Sequence, residues 1–163
     1  MYNNPGRCAV NMSIDTIVNL AKLGGMALKD SDPNLARVTV LAEVVPDLKL
    51  LSGDDPTLPG YLAHGGHGCI SVTANIAPAL VKKLITSWQY RDIETMQETG
   101  KKLAKLSEAL FVESNPIPAK YILSKMGYVA NELRSPLTPA SLQTQQKINQ
   151  DYTFWYDIQT TRQ

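Results

Sequence analysis

The chain has 163 residues, of which 44% are hydrophobic and 19% charged, and its formal net charge is +1. That composition suits one ordinary globular core, and it argues against a disordered tract or the strongly basic surface that draws nucleic acid through its phosphates. No run reaches the roughly 20 consecutive apolar residues of a membrane-spanning helix, and Met1 is not followed by a secretory-type leader, so a cytoplasmic protein with no membrane or nucleic-acid partner is expected.

The chain opens MYNNPGRC, a turn-rich stretch that brings a phenol, Tyr2, and a guanidinium, Arg7, together at the front. Residues 13–23, SIDTIVNLAKL, then read as an amphipathic helix with Ser13 as its N-cap and Ile14, Ile17, Val18 and Ala21 on one face. Gly24 and Gly25 end it. GMALK is a strand-length apolar run closed by Lys29, and the following segment reads as a turn and a helix, with Asp32 as N-cap and Pro33 at the first helical position. LKLLS (48–52) is a second strand, followed by a turn at Gly53–Pro56 and a short helix over 57–64. CISV (69–72) is a third, followed by a turn at 73–75 and a helix over 78–89.

Short apolar strands alternating with helices predict an α/β protein with a parallel sheet, either open or closed into a barrel. From Asp92 onward only helices are predicted, over 93–111, 117–126 and 139–150, the first with Leu103, Leu106 and Leu110 as a packing stripe. The expected organisation is a partial β/α barrel over 1–90, a helical domain over 91–150 and a tail over 151–163 of unassigned role.

Parallel strand-helix folds gather their chemistry at the carboxyl ends of the strands. Those ends hold Tyr2, Arg7, Lys29, Gly53 and Ile70. A lysine amine that is partly desolvated is biased toward its neutral form and can attack a carbonyl as a Schiff-base nucleophile. Position alone leaves a second reading open, a lysine that escapes the core to solvent. Tyr2 can shuttle a proton or wedge into the core, and Arg7 can clamp a carboxylate or serve as a surface charge. Gly53 and the backbone at Ile70 can offer peptide groups to a small anion or only make turns. His64 and His67 fall short of a metal site, because no third ligand stands at a recognised spacing, and no metal is expected. Cys8 and Cys69 lack Cys-x-x-Cys spacing and read as reduced thiols.

In order, the blocks YNNPGR, GMALKDS, LLSGDD, GGHGCISVTAN and LFVESNPIPAK resemble the dihydrodipicolinate synthase family, within the pyruvate-dependent, N-acetylneuraminate lyase-like aldolases. The resemblance implies the carboxyl-terminal half of a TIM (β/α)8 barrel, from the end of strand five through strand and helix eight, then a small helical domain. It implies that Lys29 forms the Schiff base with pyruvate and Tyr2 relays protons. Arg7 would bind the carboxylate of L-aspartate 4-semialdehyde, and Gly53 and Ile70 would line the pyruvate pocket through their backbones.

No cofactor beyond the covalent imine is implied, and a homo-oligomer, commonly a tetramer, is expected of the full-length form in the diaminopimelate route to lysine. The family's paired threonines and a tyrosine from a neighbouring subunit have no counterpart in these blocks. The chain is therefore expected to be the downstream part of a longer protein, with Met1 an ordinary internal methionine, and to be inactive alone. Two alternatives remain at this point: a noncatalytic half-barrel that completes another chain, and a sibling aldolase acting on another aldehyde.

Overall fold

A computed structural model describes residues 1–150; the tail over 151–163 lies outside the described residues. Two compact units are resolved, one from Met1 to Ser71 and one from Val72 onward.

The first unit contains every described strand: β1 (Tyr2–Asn3), β2 (Ala27–Asp30), β3 (Lys49–Ser52) and β4 (Gly68–Cys69). All pair in parallel, in the order β1-β2-β3-β4, with Tyr2 level with Lys29, Lys29 with Leu51, and Leu51 with Gly68. Between them run α1 (Pro5–Cys8), α2 (Ile14–Lys22), α3 (Leu35–Val44) and α4 (Leu58–Ala63). Side chains alternate across a strand, so each residue is committed to one face. Leu28 and Leu50 point into a core built with Ile17, Val38, Leu41, Leu48 and Tyr61 from the flanking helices and loops.

The expected half of a closed eight-stranded barrel is not what the described residues form. The described residues form an open four-stranded parallel sheet with helices, whose outer strands β1 and β4 each have a partner on one side only. Closure demands that strand number, tilt and stagger agree around a full circle, and four strands of two to four residues cannot meet that condition. The α/β class stands.

Local signals account for most element boundaries. Ser13 Oγ accepts the Thr16 N–H at 3.1 Å and caps α2, and Gly24 ends the helix region with φ +98°. Asp32 does not cap α3; it accepts the Asn34 N–H at 2.9 Å in a turn that precedes the helix. β4 lies earlier than the CISV run predicts, because pairing with β3 begins at Gly68.

The second unit is helical. A single 3-10 turn (Thr73–Asn75) leads into α5 (Pro78–Gln89), α6 (Ile93–Leu110), α7 (Ile117–Lys125) and α8 (Leu142–Gln150). Asp92 caps α6 by accepting the Thr95 N–H at 3.0 Å. Leu103, Leu106 and Leu110 are buried as their spacing predicts, and Leu106 and Leu110 pack in a core with Ile76, Ile117, Ile122 and Ile148. Within it, Thr73 and Ser107 hydroxyls pair at 3.1 Å, so neither buried oxygen is left without a partner.

Candidate functional site

Parallel pairing puts the carboxyl ends of all four strands on one edge of the first unit's sheet. Asn3, Asp30, Ser52 and Cys69 form one row across that edge. The alternation places Tyr2 and Lys29 on the face opposite the helices, where Tyr2 is 46% exposed. There the Lys29 ammonium nitrogen sits over the Tyr2 ring, 5.3 Å from its centroid. The Tyr2 hydroxyl accepts a hydrogen bond from Asn4 Nδ2 at 3.1 Å, which orients the phenol at the sheet edge.

Gly53 follows β3 directly and touches the same lysine. A Cβ at this position would lie 2.9 Å from Lys29 Cε and would also collide with Ser31 Oγ. The glycine therefore allows an approach that any side chain would block. Its N–H donates to the Asp30 carbonyl at 2.7 Å, and the Ile70 N–H donates to the Ser52 carbonyl at 2.8 Å. Both donors are committed to the sheet, so what these two backbones offer a ligand is a carbonyl acceptor. The Ile70 side chain is 49% exposed.

Arg7 is placed differently. It lies on α1, exposed, after the turn that leaves β1, with its N–H bonded to the Asn4 carbonyl at 3.0 Å. The structure thus brings Tyr2, Lys29 and Gly53 into contact, sets Ile70 on the same edge, and holds Arg7 on a separate one-turn helix.

Two features escape sequence reasoning. Ser31 follows the strand that carries Lys29, and its Oγ is buried without a hydrogen-bond partner among the described residues. Behind the sheet, Asn3 and Asp30 are each 1% exposed. Asn3 Nδ2 donates to Asp30 Oδ1 at 2.8 Å, and Arg37 Nε donates to Asp30 Oδ2 at 3.2 Å. Burial and the nearby Asp30 carboxylate push the Tyr61 hydroxyl well above its ordinary pKa, partly offset by Arg37. An Asn after a Tyr in a turn-rich opening carries no sequence signal of burial.

The histidines serve the backbone. His64 Nδ1 lies 2.7 Å from the Gly60 carbonyl, and His67 Nδ1 accepts the Leu50 N–H at 3.2 Å. Among the described residues no group of three or more His, Cys, Asp or Glu could hold a metal ion, and no helix is long and apolar enough to cross a membrane. Cys8 and Cys69 are free thiols; burial, with Asp55 nearby, raises the Cys69 pKa to about 11. A cleft of about 640 Å³ lined by Val18, Met26, Val44 and Leu48 opens at the amino ends of β2 and β3, the opposite edge from Lys29. Size alone does not make it the site, because the groups able to do carbonyl chemistry stand at the carboxyl ends.

Comparison with known proteins places the chain in a family. The model of the dihydrodipicolinate synthetase family matches residues 1–153. The 4-hydroxy-tetrahydrodipicolinate synthase of Bradyrhizobium diazoefficiens is 43% identical over 143 residues, which is 86% of this chain and 48% of that protein. Dihydrodipicolinate synthase from Aquifex aeolicus has a similar structure, with a TM-score of 0.91 and 34% identity over 95% of this chain and 54% of that one. The chloride-inhibited enzyme from Acinetobacter baumannii, complexed with pyruvate, gives a TM-score of 0.89 and 35% identity over 94% of this chain and 54% of that one.

The chain spans about half the length of the curated relatives it matches. The described strands form an open sheet, not the expected closing half of a barrel. A family match over nearly the whole sequence, supported by relatives above two-fifths identity, leads to one conclusion: this chain belongs to the dihydrodipicolinate synthetase family.

Proposed function

We propose that the chain supplies the Schiff-base lysine and its proton relay to a 4-hydroxy-tetrahydrodipicolinate synthase, which joins pyruvate to L-aspartate 4-semialdehyde on the diaminopimelate route to lysine. The observation that carries this reading is the Lys29 amine poised over the Tyr2 ring at the carboxyl edge of a parallel sheet. The neutral amine adds to the ketone carbon of pyruvate, and the carbinolamine loses water to give an imine. Tyr2 donates the proton that leaves with the hydroxyl and takes up a proton as the pyruvate methyl group is converted to an enamine. The enamine carbon then attacks the aldehyde carbon of the second substrate, whose carbonyl π bond breaks as its oxygen takes the proton that Tyr2 holds.

Arg7, exposed on α1, is assigned the carboxylate of that second substrate, since a guanidinium fork matches a carboxylate with two parallel hydrogen bonds. The carbonyls of Gly53 and Ile70 line the pyruvate side. The full condensation, and a homo-oligomeric assembly, are proposed for the full-length protein, of which these residues are one part.

Intact-mass analysis after pyruvate and borohydride treatment, with peptide mapping, tests the first step. One reduced pyruvate adduct is expected, on Lys29, and none in Lys29→Ala. An adduct spread over surface lysines would sink the assignment, whereas no adduct would mean that this chain by itself does not assemble the first step.

A further inference from the structure

From the geometry behind the sheet we infer that Asn3 and Asp30 are positioning residues that hold Tyr2, Lys29 and Arg7 in register. The inference rests on the reading of Lys29 as the Schiff-base amine. Asn3 follows Tyr2 and Asp30 follows Lys29, so the two form a pair on the helix-covered face one residue beyond the reactive pair on the other face.

β1 is only two residues long, and backbone bonds from Lys29 N to the Met1 carbonyl (3.0 Å) and from Ser31 N to the Asn3 carbonyl (2.9 Å) hold it against β2. So short a strand specifies its register weakly, and a slip by one residue would exchange its two faces, turning Tyr2 into the core. The buried Asn3–Asp30 hydrogen bond, 2.8 Å long, opposes that slip, because no other register brings this amide to this carboxylate. A polar pair in this layer is more costly than an apolar one, and specification of register is the best-attested use of such pairs.

Asn3 also closes the loop that carries Arg7. Its Oδ1 accepts the Met12 N–H at 3.0 Å, and its Nδ2 donates to Asn11 Oδ1 at 2.9 Å, so the segment that follows α1 is tied back to the strand that precedes it by one side chain. Asn11 Nδ2 in turn donates to Asp32 Oδ2 at 2.6 Å, and Arg37 Nη2 donates to the Met12 carbonyl at 2.5 Å while its Nε pairs with Asp30. Every polar atom of the Asn3 side chain is therefore spent on joining the segment around Arg7 to the strand around Lys29.

The test is borohydride trapping of pyruvate on Lys29, with its rate, its pyruvate dependence and the folded fraction read in parallel by circular dichroism. In Asn3→Leu the rate at saturating pyruvate is expected to fall about tenfold, as for a reacting group displaced by a fraction of an ångström, with the half-saturating pyruvate concentration little changed. A purely structural role would lower trapping only in proportion to the folded fraction, and that result overturns the inference.

The exchanged pair N3D/D30N covers the case in which Asn3→Leu does not fold. It reverses donor and acceptor between the strands while giving up the Arg37–Asp30 pair and the bond to Asn11, and it is expected to be faster than Asn3→Asp alone, which sets two carboxylates against each other. An exchanged pair no faster than Asn3→Asp overturns the inference. A wild-type chain that labels at surface lysines instead of Lys29 removes the functional reading and this inference with it, whereas a wild type that traps pyruvate on Lys29 and is matched by Asn3→Leu removes this inference alone.

Discussion

The two faces of one short sheet follow opposite rules. On the helix-covered face, alternate residues Asn3, Leu28, Asp30 and Leu50 are at most 1% exposed, and the polar members are hydrogen-bonded. On the other face the neighbouring residues Tyr2, Lys29 and Ile70 are partly open to solvent. Beside them lies a buried hydroxyl, Ser31 Oγ, with no partner among the described residues. One face is optimised for burial and satisfaction, and the other keeps reactive groups accessible at the expense of both. Residues one position apart are thus selected by different physics, which is the period-two consequence of strand geometry.

Substitutions on each face can break or sharpen that contrast. The largest effect is expected from Leu50→Ala, which opens a cavity beneath a fully buried side chain and should cost about 2–5 kcal/mol in urea unfolding. Pyruvate trapping per folded molecule should be unchanged, and a change there would show that the two faces are coupled through packing.

Gly53→Ala comes next. The new Cβ meets Ser31 Oγ and lies 2.9 Å from Lys29 Cε, so about 1–3 kcal/mol of overpacking is expected. Because Lys29 as well as Ser31 must move, trapping should fall more than stability does; equal stability with full trapping would mean that the space beside the lysine is not critical.

The smallest effect carries the opposite sign. Ser31→Ala removes a buried hydroxyl that has no partner among the described residues and should stabilise the chain by about 1 kcal/mol, seen as a higher urea midpoint at unchanged slope. A loss of stability instead would show that the hydroxyl already serves the fold, and the contrast between the faces would weaken.

Much of this was legible in the residues themselves. Ser13 announces α2 because a serine hydroxyl before an amphipathic run can accept the first free N–H groups, and it does so for Thr16. The Leu103, Leu106 and Leu110 stripe marks a buried helix face by spacing alone. The GMALK run places Lys29 near the carboxyl end of a strand, and it stands there in β2. Asp32 makes a turn rather than the expected helix cap, because an aspartate before a proline can do either, and the hydrogen bond it finds with Asn11 is remote in sequence.

What the residues determined by themselves, then, was local: helix starts and stops, strand-length apolar runs, and which side chains could do chemistry. Only the tertiary structure decided which side chains meet, because the Tyr2–Lys29 contact, the close approach of Gly53 and the Asn3–Asp30 pair all depend on strand register between segments far apart in the chain. It also decided that the described strands form an open sheet of four. Short apolar strands read alike in an open sheet and in a closed barrel, since local periodicity carries no record of how a sheet's edges end.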